Sequence, residues 1–252
     1  MAGILSDKTV VIMGVANQRS IAYGCAQAIL AQGGKIILTY QNDRIKKSLV
    51  KIFGDRVELI ECDVAEDQNV EKAFQQIKDE HGLVDGIIHA IAFADKDSLE
   101  NGVLHTSKAG YNLAQDISAY SLISVCRFGA HIMKKGSSVV TLTYFGSTRA
   151  IPQYNVMGVA KAALEANVRY LSRDLGNQQI RVNAISAGAL KTLAVTGISE
   201  HRQLLKESLS RTVDGVSVTI EEVGNTAAFL LSDLSTGITG DIIYVDKGVH
   251  LL

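Results

Sequence analysis

Short runs of β-branched and aliphatic residues recur from one end of this chain to the other, each followed by a longer stretch of helical periodicity, and few folds tolerate that rhythm. The strand candidates are Thr9–Met13, Lys35–Tyr40, residues 56–62, 86–90, 137–143 and 181–185, and Ile242–Val245. Helical periodicity covers residues 21–32, Asp67–His81, 110–134, 153–175 and Ile220–Leu231. Helices that separate consecutive strands act as right-handed crossovers, and crossovers leave neighbouring strands parallel. The spacing therefore predicts an α/β chain, one doubly wound domain over residues 1–252 around a seven-stranded parallel sheet. No low-complexity linker, charge block or internal repeat interrupts it.

The bulk properties narrow the partners. With 252 residues, 47% of them hydrophobic, the chain has ample material for a continuous core. A net charge of −1, from 25 basic and 26 acidic residues, leaves no electrostatic footprint for nucleic acid or an anionic membrane. The opening segment Met1-Ala2-Gly3-Ile4-Leu5-Ser6-Asp7-Lys8 lacks a basic region followed by a long apolar run. Nowhere do roughly eighteen uncharged apolar residues follow one another, so a soluble cytoplasmic protein is expected. Cys25, Cys62 and Cys126 are odd in number and far apart, and neither Cys-x-x-Cys nor His-Glu-x-x-His occurs, which argues against a disulfide framework or structural zinc. The six histidines are scattered and read as surface or capping groups, so no metal site is expected.

The first strand runs into Gly14-Val15-Ala16-Asn17-Gln18-Arg19-Ser20-Ile21, and the small residues Ala22, Gly24, Cys25 and Ala26 follow. In a doubly wound sheet this loop lies beside the topological switch point, and the helix after it directs free N–H groups toward a bound anion. Gly14 permits close backbone approach, and Ser20 can cap the helix. The spacing departs from Gly-x-Gly-x-x-Gly, so a capped turn without a ligand explains it as well. Some twenty residues on, Thr39-Tyr40-Gln41-Asn42-Asp43 falls where dinucleotide folds meet the adenosine ribose. Gln41 can bond ribose hydroxyls and Asp43 would repel a 2′-phosphate, which favours NADH over NADPH. Arg44, Lys46 and Lys47 argue the other way unless they are a solvated helix start. Asp63 and Val64, after the third strand, suit an adenine ring; a helix cap is the equal alternative.

Tyr154 and Lys161 stand seven residues apart, and Tyr144 precedes them. On a regular helix that spacing brings two side chains within about 20° of each other on one face. A phenol can donate to an oxygen that gains negative charge, and a nearby ammonium favours its ionisation and anchors a sugar hydroxyl. Pro152 sits two residues before Tyr154, where it fixes φ near a helix start.

Together, Gly14-x5-Ser20, Gln41, Asp63-Val64, His89-Ala90-Ile91-Ala92-Phe93-Ala94, Tyr144, Tyr154-x6-Lys161 and Ser186-Ala187-Gly188 resemble the divergent branch of the short-chain dehydrogenase/reductases. The chain is similar to the bacterial enoyl-(acyl-carrier-protein) reductases over essentially its whole length. The longest matching stretches are residues 151–158, 164–170 and 181–188. Ordinary members of the wider family place tyrosine and lysine four residues apart, and the spacing of seven marks the enoyl reductase branch.

The resemblance implies a Rossmann-like fold, NADH as cofactor, an enoyl thioester on acyl carrier protein as substrate, and a homotetramer. It implies that Gly14, Ser20 and Ile21 hold the pyrophosphate, Gln41 the adenosine ribose, and Asp63 with Val64 the adenine. Ile91 would lie by the cofactor, Lys161 would bond the nicotinamide ribose, and Leu190, Lys191, Thr192, Leu193 and Ala194 would pack against the nicotinamide end. Ala94 matches a substrate-contacting position, and Tyr144 and Tyr154 match the two active-site tyrosines. Residues at about 192–211 would form a lid whose apolar side chains serve equally as acyl contacts or as core. Lys191, Arg202 and Lys206 would receive the acidic carrier protein.

Departures from commoner members are Ala189 and Lys191 where many carry Pro and Arg, Ala92 for a frequent glycine, Lys247 inside a usual Gly-Gly pair, and the stretch Thr212-Val213-Asp214-Gly215-Val216. They bear on loop dynamics and chain-length preference rather than on the reaction. The rival readings are a short-chain carbonyl or alcohol reductase, against which the spacing of seven counts, and a catalytically inactive NAD-binding regulatory protein.

Overall fold

A computed structural model describes residues 3–190 and 201–251. In it the strands are β1 (Thr9–Met13), β2 (Lys35–Tyr40), β3 (Glu58–Glu61), β4 (Val84–His89), β5 (Met133–Thr143), β6 (Arg181–Ala187) and β7 (Ile242–Val245). The helices are α1 (Ile21–Ala31), α2 (Asp43–Phe53), α3 (Asp67–His81), α4 (Lys96–Glu100), α5 (Lys108–Gln115), α6 (Ser121–Gly129), α7 (Asn155–Asp174), α8 (His201–Ser210) and α9 (Ile220–Leu231). The seven strands form one sheet in the order β3-β2-β1-β4-β5-β6-β7, with every neighbouring pair parallel. This is the expected doubly wound α/β architecture. Strand order reverses between β1 and β4, which opens a crevice at their carboxyl ends.

Successive side chains of β1 show why both faces need helices. Val10 and Ile12 enter a core with Ile29 of α1, Leu49 and Phe53 of α2, and Val223 and Leu230 of α9. Val11 and Met13 enter the opposite core with Phe74 and Ile77 of α3, Leu122 and Val125 of α6, and Leu164 and Val168 of α7. All four β1 side chains are completely buried, and each contributes about 1.5–3 kcal/mol. Helices α1 and α9 approach so closely that a Cβ on Gly24 would stand 2.3 Å from the Ile220 carbonyl oxygen. A Cβ on Gly224 would stand 2.4 Å from that of Gly24. A reciprocal cap by Thr219 and Glu222 starts α9.

Several elements differ from the sequence expectation: α4 and α8 were not expected, and β5 starts at Met133 rather than residue 137. The apolar periodicity of 110–134 is not one helix: a π-helical turn at Asp116–Tyr120 divides α5 from α6. There Ala119 O accepts from Asn167 Nδ2 at 3.0 Å, and Ser118 Oγ bonds both the N–H and the carbonyl of Phe93. Residues 43–53 form α2, whose Ile45, Leu49, Ile52 and Phe53 make an apolar stripe at helical spacing against the core, interrupted in sequence by basic residues. Strand β3 starts later than residue 56, because the Arg56 guanidinium folds back onto the carbonyls of Phe53 and Ile52 and closes α2. Among the described residues no helix is long and apolar enough to cross a membrane. All three cysteines are buried free thiols.

Candidate active site

The carboxyl ends of β1 to β4 assemble most of the expected cofactor residues. Gly14 leaves β1 at φ +98°, and a Cβ there would lie 2.1 Å from the carbonyl oxygen of Ala90, so only glycine lets these two strand ends close. Ser20 caps α1: its Oγ accepts from the N–H of Tyr23 at 3.3 Å and donates to Asn17 O at 2.7 Å. Ile21 then begins the helix, whose first N–H groups face the crevice. On the next strands, Gln41 Nε2 donates to Asp63 Oδ2 at 3.3 Å, and the other carboxylate oxygen accepts from Ala65 N–H. The structure thus joins two residues that the sequence reading had placed separately, and neither caps α3, whose first residue is Asp67. Val64 is buried beside them and Ile91 half-buried at the end of β4.

The basic run after Asp43 resolves as a helix start. Asn42 caps α2 by accepting from Ile45 N–H, and Lys46 Nζ lies over the Tyr40 ring, 5.2 Å from its centroid.

The end of β5 and the start of α7 build the other half of the site. Tyr144 follows β5 directly, and its ring meets that of Tyr154 edge-on. Tyr154 precedes the first residue of α7, and Asn155 has φ +43°. The one-face argument therefore fails at its first step, because the helix regular enough to carry it starts after the tyrosine. Tertiary contacts place Tyr154 instead: its ring fits beside Gly146, and Asn155 Nδ2 donates to Leu99 O of α4. Ala94 joins Ala114, Val156, Met157 and Ala160 in a small apolar cluster against which Tyr154 packs, so the expected substrate contact adjoins the phenol.

Lys161 is buried on α7 and donates from Nζ to Leu142 O at 2.8 Å. Burial draws its ammonium down to about 8, and the charge of Glu165 acts in the opposite direction. Burial pushes the Tyr144 phenol up to about 12, with Arg211 opposing and Asp246 assisting. The Tyr154 phenol is driven further upward, by desolvation first and then by Tyr144 and Glu165. Lys161 therefore does not ionise Tyr154, contrary to the expectation from spacing: desolvation dominates, and the phenol keeps its proton near neutrality.

Sequence reasoning gave no role to Thr143 or Glu165, whose side chains bond at 2.7 Å behind Lys161. The signal available was a glutamate four residues after the lysine. It also treated His89 as a surface or capping group, whereas His89 is fully buried between Thr141 Oγ1 and Ser121 Oγ, at 2.9 and 2.8 Å. Leu190, three residues past the end of β6, is buried. Lys191, Thr192, Leu193 and Ala194 lie outside the described residues, as does the first part of the expected lid; its second part contains α8. The one Glu/His group near enough to share an ion among the described residues, Glu58, Glu80 and His81, is exposed and away from this site.

A family model described as enoyl-(acyl carrier protein) reductase matches residues 14–250. The chain belongs to that family. The enoyl-(acyl-carrier-protein) reductase (NADH) FabI of Enterococcus faecalis is 56% identical over 247 residues, which cover 98% of this chain and 99% of that one. The corresponding NADPH enzyme of Staphylococcus aureus strain MRSA252 is 47% identical over 98% of each. Among solved structures of the family, the Bacillus cereus reductase with NADP+ and indole naphthyridinone is 45% identical, has a TM-score of 0.96 and is matched over 99% of both chains. That of Anaplasma phagocytophilum in complex with NAD is 40% identical at a TM-score of 0.94, over 100% of this chain and 97% of that one.

Proposed function

We propose that this chain reduces the C2=C3 double bond of trans-2-enoyl thioesters carried on acyl carrier protein, with NADH as reductant, in the elongation of fatty acids. The observation that carries the reading is the edge-to-face pair of Tyr144 and Tyr154 at the carboxyl end of β5, with the buried Lys161 donating to Leu142 O two residues before Tyr144. The residues present fit a dinucleotide. Gly14 clears a backbone cradle, α1 offers its N-terminus, and Gln41 and Asp63 form a joined polar edge one strand away. Asp63 and Asp43 put negative charge where a 2′-phosphate would lie, and Lys46 is engaged with Tyr40, which supports NADH over NADPH.

When bound, NADH would supply a hydride to the β-carbon, and the enolate so formed would take up a proton at the α-carbon to complete the reduction. On hydride transfer the thioester oxygen gains negative charge, and the Tyr154 hydroxyl donates a hydrogen bond to it; one lost donor of this kind costs on the order of 3 kcal/mol of barrier. Lys161, held by Leu142 O, has N–H groups left for the nicotinamide ribose. Tyr144 shapes the slot and positions the thioester. Gly14, Ser20 and Ile21 receive the pyrophosphate, Asp63 and Val64 the adenine, Ile91 lies by the cofactor, and Leu190 packs against the nicotinamide end.

On this reading residues 1–252 act as one nucleotide-binding domain with a lid at about 192–211, in a cytoplasmic homotetramer. The test is the loss of NADH absorbance with a trans-2-enoyl thioester set against a panel of ketones. Consumption with ketones alone would establish a carbonyl reductase. Bound NADH with no consumption of either would establish a regulatory protein.

A further inference from the structure

Three consecutive residues at the end of β5 are gripped by α7 and the residue before it. Leu142 O accepts from Lys161, the Thr143 hydroxyl donates to Glu165 Oε1 at 2.7 Å, and the Tyr144 ring packs on Tyr154. Glu165 is 7% exposed and Lys161 6%, one helical turn apart on the same face. A buried carboxylate is costly unless a cation and hydrogen bonds compensate it. We propose that Glu165 is a positioning residue for the reduction: aimed by Thr143, its carboxylate keeps Lys161 an ammonium ion directed at the nicotinamide ribose. This rests on Lys161 being the ribose anchor.

The other titratable groups around Lys161 do not supply that charge. His89, from β4, is fully buried and held neutral, since burial first and the charge of Lys161 second draw it down to about 3. Tyr144 and Tyr154 keep their protons. On the elements packed against α7, Lys96, Asp97 and Glu100 of α4, Lys108 of α5 and Asp116 are exposed, Arg127 is paired with Asp67 at 3.0 Å, and Arg181 of β6 is held by the carbonyls of Leu230, Ser232 and Ile238. Glu165 alone of these opposes the desolvation of Lys161. Without it the lysine loses its proton nearer neutrality, and a neutral amine is a weaker partner for the sugar hydroxyls.

The experiment is Glu165→Gln, which keeps an acceptor for Thr143, with kcat/KM for NADH measured across pH. The alkaline limb is expected to move down by about one pH unit or more, so that at a pH on the parent's plateau near that limb the NADH term falls by up to about tenfold. At about pH 6 it stays close to the parent. Profiles that superimpose overturn the proposal, as does a loss of equal size at every pH, which a merely structural role would give. Should Glu165→Gln fail to fold, Thr143→Val decides: it leaves the carboxylate unaimed, is expected to shift the limb in the same direction by less, and an unmoved limb overturns the proposal. Lys161→Ala, run beside them, separates the two ideas. Unchanged NADH affinity in that variant sinks the ribose anchor, whereas weakened affinity with an unmoved Glu165→Gln profile sinks only the role of Glu165.

Discussion

Tyr144 meets Tyr154 edge to face, their ring centroids 4.9 Å apart and their planes inclined at 69°. Neither ring is positioned by its own secondary structure, since one follows a strand and the other precedes a helix. Two glycines make the slot. A Cβ on Gly146 would stand 2.6 Å from Tyr154 Cδ1, and one on Gly158 would stand 2.7 Å from Gly146 O. The geometry of the phenols is therefore set by what is missing around them.

Replacing Tyr154 by Phe removes the donor and little volume. Turnover with an enoyl thioester is expected to fall by roughly 100-fold or more, with the dissociation constant for NADH nearly unchanged. Unaltered turnover would refute the assignment of the donor.

Gly146→Ala should act on the same step without touching a reacting group. The added methyl displaces the Tyr154 ring, so kcat is expected to drop by about tenfold or more while NADH binding, measured by fluorescence, stays close to the parent. A variant with parent kcat would show that the ring tolerates the displacement.

Gln41 is the position from which to change cofactor. Gln41→Arg should raise the preference for NADPH, read as the ratio of kcat/KM for the two cofactors, by supplying a cation where a 2′-phosphate lies. Asn42 is better left intact, because it caps α2 and its loss costs about 1 kcal/mol of stability. A parent enzyme that uses both cofactors equally would remove the basis of this prediction.

His89 links stability to acid. Its folded value near 3 lies below the ordinary imidazole range, so between about pH 6.5 and 3 the unfolded chain binds a proton that the native one excludes. The stability this contributes is complete above about pH 6.5 and is lost as pH falls through about 3, at up to about 1.4 kcal/mol per pH unit. Urea unfolding of His89→Asn at several pH values should show a shallower slope across that window than the parent. Identical slopes would place the acid sensitivity elsewhere.

Lys247 ties together two of the departures from family habit. It adopts φ +57°, its backbone oxygen accepts from Val213 N–H at 2.9 Å, and its ammonium reaches Asp214 at 3.6 Å and Glu222 of α9. Lys247→Ala is expected to be less stable than Lys247→Gly, since both lose the ion pairs and only alanine holds the left-handed backbone at a cost of about 1 kcal/mol. Thermal melts that rank the two in the opposite order would exclude this account.

Much of this was legible because it depends on local pattern. The limits of β1, β2, α3, α9 and β7 follow from continuous apolar runs or strong amphipathicity, and Gly14, Ser20, Gln41 and Asp63 follow from their distance along a known crossover. Helix α2 was not read, although Ile45, Leu49, Ile52 and Phe53 stand at helical spacing behind the Asn42 cap, because the basic residues between them interrupt any apolar run. Nor was the break at Asp116–Tyr120, whose cause is an amide on another helix, Asn167. The placement of Tyr154 depends on Gly146, Gly158 and Leu99, and no periodicity connects those residues. Glu165 was visible as a charge, yet its burial and its Thr143 partner exist only after β5 and α7 have docked.

The close approach of Gly24 and Gly224 puts an order on assembly. Helix α1, whose first turn faces the crevice, rests on a helix that is synthesised near the end of the chain. A nascent polypeptide that has completed β1 through β6 still lacks that support, so the start of α1 meets the helix it packs on only when residues 220–231 arrive.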